Sequence, residues 1–198
     1  MLKNLKFSIS NIVTIILAGF VLLMLFNPNA KGWFIETLMK VGLFQPVITN
    51  SPKPVDVLSS EVVFRDINGN TLNLADQKGK VIFINFWATW CPPCIAEMPS
   101  INSLYHKFKN SDNIIFVIAD ADGDFNASTK FMRKKDLHFP LYISTGILPK
   151  TIFEGTLPTT VIINKKGEIV YRHEGAADYD SPKMVSFINE LSKASFKY

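Results

Sequence analysis

The chain has 198 residues, 47% of them hydrophobic and 19% charged, which supports one packed domain plus an appendage and excludes wholesale disorder. The net charge of +4 includes Lys3 and Lys6 at the extreme N-terminus, and the remaining charges are interspersed, so no basic face points to nucleic acid. Only two cysteines, Cys91 and Cys94, occur in the whole length.

Residues 7–26, FSISNIVTIILAGFVLLMLF, carry no charge, and the next charged residue is Lys31. At 1.5 Å per residue this run is about 30 Å long as a helix, the thickness of a bilayer's hydrocarbon core. It is long for the apolar part of a cleaved signal, and NPNAK after it makes a poor cleavage site, so an uncleaved anchor is the favoured reading. Lys3 and Lys6 then stay inside and residues 31–198 lie outside. The expected organisation is a cytoplasmic N-terminus over 1–6, a transmembrane anchor over 7–26, a linker over 27–60 and a folded domain over 61–198. This places the domain on the extracytoplasmic side of the cell membrane, periplasmic in a cell with two membranes.

Within the linker, 33–44 has apolar residues at 34, 35, 38, 39 and 41, with Glu36 and Lys40 spaced i,i+4, and reads as a short amphipathic helix. Its apolar face is expected to pack on the domain; an interfacial helix on the membrane, suggested by Trp33, is the alternative. The proline-rich NSPKP at 50–54 ends it.

The domain alternates. Residues 61–66 and 71–74 predict a hairpin turned at Asn68-Gly69, and the continuous apolar run 80–87 predicts a strand buried on both faces. Residues 92–109 have helical periodicity, with Ile95, Met98, Ile101, Leu104, Tyr105 and Phe108 on one side. A second buried strand follows at 113–120, then a helix over 126–135 capped by Asp124 or Asn126. Residues 159–173 predict a hairpin turned at Lys166-Gly167, and 181–192 a closing helix with Ser181 as N-cap and Pro182 at the first position. This order implies an α/β domain with a mixed sheet flanked by helices on both faces.

Both cysteines lie in NFWATWCPPCIAEMP, residues 85–99. An exported domain meets an oxidising compartment, but a bridge across so short a loop removes little unfolded-state entropy, so a staple is a weak explanation. Cys91 follows a buried strand and opens a helix, where backbone N–H groups and the helix dipole stabilise a thiolate. Cys94, three positions on, shares its face, a geometry suited to thiol–disulfide exchange. Zinc wants four ligands, and His106, His138 and His173 are scattered without metal-ligand spacing. A copper site would prefer wider cysteine spacing plus a placed His or Met. His106 reads as a surface or boundary residue.

The longer pattern, KGKVIFINFWATWCPPCIAEMPSINSLY followed by GTLPTTVIINKKGEIVYRHEG, resembles the TlpA/ResA group of membrane-anchored thioredoxin-like proteins over roughly residues 60–195. The resemblance implies a thioredoxin-like fold, with Cys91 as attacking thiol and Cys94 as resolving thiol. It implies that Pro158 is a cis-proline facing the pair, and that the TLPTT segment with Leu157 and Thr159 meets an extended substrate. Glu97 matches the acidic residue of the group's WCxxCxxE pattern. Its position allows a raised pKa and a role in moving protons; the plainer role is complementing the helix dipole. Ordinary thioredoxins carry a buried aspartate where this chain has Asn85, which leaves Glu97 as the titratable acid. Trp90 is expected to screen the disulfide, Trp87 to pack, and His173 and Glu174 to be ordinary end-of-strand residues.

The function implied is an anchored disulfide oxidoreductase that reduces cysteine pairs in exported proteins such as apocytochrome c. Protein thiols and disulfides would be its partners, with an unidentified membrane-embedded or soluble electron donor. No cofactor beyond the Cys91–Cys94 disulfide and no metal is expected. The alternative is a copper- or haem-handling binding module on the same scaffold.

Overall fold

Residues 9–40 and 61–194 are described by the structure, a computed structural model. Two helices open it, α1 (Ile9–Phe26) and α2 (Pro28–Lys40). α2 begins five residues before the periodicity at 33 suggests, because Asn27 accepts from the N–H groups of Asn29 and Ala30 and Pro28 takes the first helical position. The expected continuation of this helix over 41–44, and the break at 50–54, lie outside the described residues. Among the described residues no single helix is long and apolar enough to cross a membrane; Ser10–Phe26 and Pro28–Met39 reach that length and apolarity only as a pair bent by 104°.

The domain carries β1 (Val63–Asp66), β2 (Thr71–Asn73), a 3-10 turn (Leu74–Gln77), β3 (Val81–Trp87), α3 (Pro92–Phe108), β4 (Ile114–Asp120), α4 (Phe125–Lys135), β5 (Leu141–Ser144), β6 (Thr159–Ile163), β7 (Ile169–Glu174) and α5 (Pro182–Lys193). The strands form one mixed sheet in the order β2-β1-β5-β4-β3-β6-β7. β3, β4 and β5 run parallel at its centre, and β1 and β6 pair antiparallel on either side. The β1–β2 hairpin turns where Gly69 takes φ +88° and the Asp66 carboxylate accepts from the N–H groups of Asn68 and Asn70.

β5 was not legible in the sequence. It has four residues, follows Pro140 and pairs with β4 at only two positions. A run that short has no periodicity to find.

Among the described residues, the layers depart from the expected arrangement of helices on both faces. One face of the sheet (Phe83, Trp87, Phe116, Ile118, Ile162, Tyr171) packs with side chains of α3, α4 and α5. The other (Ile82, Ile84, Phe86, Val117, Val161, Ile163) packs with Leu74 of the 3-10 turn and with Leu148, Ile152, Phe153 and Leu157 of the segment before β6. The reason is topological. β3 to β4 and β4 to β5 step across the sheet in the same direction, so right-handed crossovers put α3 and α4 on one side. α2 packs on the outside of α3, with Met39 buried.

Candidate active site

β3 is buried along its whole length and delivers Trp87 to the edge of the core, after which the chain turns into α3. Cys91 occupies the N-cap of α3 with extended backbone, and its Sγ accepts from the Cys94 N–H at 3.3 Å. Pro92 and Pro93 fill the first positions, where a missing N–H leaves nothing unpaired. Cys91 and Cys94 are joined in a disulfide with Cα atoms 5.2 Å apart, and both are buried, at 3% and 0% exposure. One helical turn thus brings together the pair that the sequence singles out.

The Leu157–Pro158 bond is cis. β6 starts one residue later, and Thr159 and Thr160 pair with Phe86 and Asn85, so Pro158 sits at the end of the sheet where β3 runs towards Cys91. The Pro158 carbonyl accepts from the Gly175 N–H at 2.9 Å, and Thr159 Oγ1 donates to the Thr156 carbonyl at 2.7 Å. Thr159 and Thr160 are both buried.

Beneath the disulfide lies a buried polar set. Asn85 Nδ2 donates to Glu97 Oε1 at 2.7 Å and to Thr160 Oγ1 at 2.9 Å. The Ala177 N–H donates to Glu97 Oε2 at 3.4 Å. Glu97 is fully buried and both donors are neutral, so desolvation outweighs the hydrogen bonds and holds its pKa well above the usual carboxylate range. Tyr179 is fully buried too. Burial first, and then a charge on Glu97, push its phenol far up, and the buried Tyr171 moves the same way. The two rings meet edge to face, with centroids 6.5 Å apart.

Trp90 is 60% exposed, and its Nε1 donates to Asp122 Oδ2 at 2.7 Å. Asp122 belongs to a loop tied by Asp120, whose carboxylate accepts from the N–H groups of Asp122 and Asp124. Trp87 packs on Phe131 in the core, at a centroid distance of 5.4 Å. His173 lies on β7, where burial lowers its pKa, and Glu174 pairs with Arg172. His106 rests against His138, with centroids 5.8 Å apart, away from the cysteines. Among the described residues no group of three or more His, Cys, Asp or Glu is placed to hold a metal ion.

Thr160, Ala177, Tyr171, Tyr179 and Asp122 were not singled out by sequence reasoning. Each reaches the site from a distant strand or loop, and no spacing in the sequence marks such a partner.

A buried disulfide at a helix N-terminus, beside a cis-proline strand on a mixed sheet, defines a thioredoxin-like protein of the dithiol/disulfide class. The chain belongs to the redoxin family, which it matches over residues 60–188, and it is of the ResA type. It is 41% identical over 109 residues to the thiol-disulfide oxidoreductase ResA of Bacillus cereus, a match spanning 54% of this chain and 62% of that protein. With ResA of Bacillus thuringiensis it shares 36% identity over 135 residues, 67% of this chain and 78% of the relative. The fold resembles that of StoA from Bacillus subtilis, with 27% identity, a TM-score of 0.51 and coverage of 70% of this chain and 99% of StoA.

Proposed function

We propose that this chain is a thiol–disulfide oxidoreductase, anchored by its N-terminal helix with the domain outside the cytoplasm, that reduces cysteine pairs in exported proteins such as apocytochrome c. The observation that carries this reading is the Cys91–Cys94 disulfide at the N-terminus of α3, with the Cys94 N–H aimed at Cys91 Sγ. In the reduced protein that N–H and the helix dipole stabilise a Cys91 thiolate. The thiolate attacks one sulfur of a substrate disulfide, forming a mixed disulfide, and the expelled substrate thiolate takes a proton. Cys94, as thiolate, then attacks Cys91 Sγ, restoring the Cys91–Cys94 bond and releasing the second substrate thiol. Two electrons pass to the substrate, and a dithiol donor, membrane-embedded or soluble, returns them to the pair.

Glu97 is the group suited to hold the proton that Cys94 must lose, since it is buried, has a raised pKa and lies one helical turn beyond Cys94. Trp90 and the Leu157–Thr159 segment flank the disulfide and would receive an extended substrate strand. The protein needs no cofactor beyond its own disulfide.

Replacing Cys94 with Ser leaves the mixed disulfide without a resolving thiol. Thiol-sensitive adducts should accumulate on Cys91 in that variant and be absent from the Cys91→Ser protein. Failure to trap any substrate, together with stoichiometric copper or haem on the purified wild type, would instead establish a binding module. Titration against glutathione buffers sets the direction: a reductase has a potential well below the poise of its compartment.

A further inference from the structure

Asn27 is the whole corner between α1 and α2, and its groups are committed. Its N–H donates to the Leu23 carbonyl, its carbonyl accepts from the Lys31 N–H, and its Oδ1 accepts from Asn29 and Ala30. Across the 104° bend, Phe20 of α1 sets its ring edge-on to Phe34 of α2, with centroids 6.2 Å apart. This corner is built, with an aromatic brace on its inner side.

Past the corner, α2 seats on the first turns of α3. Gly32 is buried there: a Cβ on it would lie 2.8 Å from Ile95 Cγ2 and 3.3 Å from the Pro92 carbonyl oxygen. Pro92 is the residue after Cys91. Further along, Glu36 and Met39 line a groove with Ala96, Pro99 and Ser100 of α3. Gly32 therefore serves close approach of α2 to the redox end of α3.

α1 packs on none of the domain's core. Ile16, Leu17, Leu22, Leu25 and Phe26 are each more than half exposed, a continuous apolar surface that water does not tolerate at this length. Trp33 and Phe34 of α2, 62% and 41% exposed, continue that surface round the corner. A lipid bilayer fits both, with α1 inserted and α2 lying along the interface, where an aromatic ring such as Trp33 is at home. Gly32 is six residues past the end of α1, about 9 Å along a helix.

We propose that α2 is a strap on the membrane surface that clamps the Cys91–Cys94 end of the domain about one helix diameter, ~10 Å, from the lipid, so that the protein serves cysteine pairs presented at the bilayer. This rests on the anchored reading above. A flexible tether of the same length would let the domain act at any orientation; a clamp does not.

The test uses the full chain in lipid nanodiscs. In a Cys91→Ser, Cys94→Ser background, spin labels at Thr37→Cys and Asn110→Cys, both exposed positions, should give one narrow distance distribution. Gly32→Val, which drives a branched side chain into Ile95, should broaden it, and Gly32→Val with Ile95→Ala should narrow it again. With both native cysteines present, the rate on a lipid-linked disulfide peptide relative to the same peptide in solution should fall severalfold in Gly32→Val and recover in the double variant, while the solution rate stays unchanged. A broad distribution in the otherwise native chain, or a rate ratio indifferent to Gly32→Val, overturns the strap alone. A chain that leaves the discs overturns the anchored reading and the strap together.

Discussion

Glu97 is held by two neutral donors and sits where water does not reach, so its carboxyl stores a proton more readily than an exposed one. If Glu97 takes up the proton that Cys94 loses, Glu97→Gln removes the acceptor while keeping the shape. The second-order rate of disulfide reduction should fall about a hundredfold or more, within the range of acid–base effects, and its dependence on pH should flatten. Equal rates at every pH from 5 to 9 would leave Glu97 a structural residue. Trp90 poses a different question at the same scale. Asp122→Asn retains an acceptor for the indole N–H and Asp122→Ala does not. If the bond positions Trp90 for substrate, the Ala variant should raise KM severalfold with kcat little changed, and the Asn variant should restore it. The cysteines, Glu97 and Asn85 are legible in the sequence because they lie within thirteen positions of one another on a strand and the helix after it. Thr160, Ala177 and Asp122 are not, because they lie 75, 80 and 32 residues from their partners and only the closed sheet brings them in.

Two helix starts that look alike in sequence are built differently. Asp124 accepts from the N–H groups of Asn126 and Ala127, both at 3.0 Å, and caps α4. Ser181 holds the same position before α5 but makes no side-chain cap bond, and its hydroxyl is buried without a partner among the described residues. Asp124→Ala should therefore cost about 1 kcal/mol in urea unfolding. Ser181→Ala should cost nothing, or stabilise, because it removes a buried polar group that nothing satisfies. Start signals identify where a helix begins, and tertiary packing decides whether the signal is used. The same limit governs the strands. β3 and β4 are long apolar runs and are plain from sequence, whereas β5 owes its existence to pairing with β4 and β1. Its placement also decides which face α4 covers, and that is why, among the described residues, the α-helices of the domain pack on one face of the sheet.

For the molecule as a whole, the redox bond and the buried acid act on stability in separable ways. A bridge closing four residues restricts the unfolded chain little, so reduction should lower stability by no more than about 2 kcal/mol. Glu97 acts through pH. Its folded pKa lies above the unfolded value, so the native state keeps a proton that the unfolded chain has lost. The stability associated with that proton is fully present below the unfolded pKa, near 4.5, and is lost as pH rises towards the folded one, at about 1.4 kcal/mol per pH unit at the steepest. Asp120, its pKa raised by burial, adds a smaller slope of the same sign. Glu97→Gln cannot lose that proton. Its urea midpoint should match or fall slightly below that of the wild type near pH 4.5, overtake it as pH rises, and show a shallower decline up to pH 8. Parallel pH profiles for the two proteins would mean that the pKa of Glu97 is not raised on folding, and the proton-accepting role assigned to it would fall with that result.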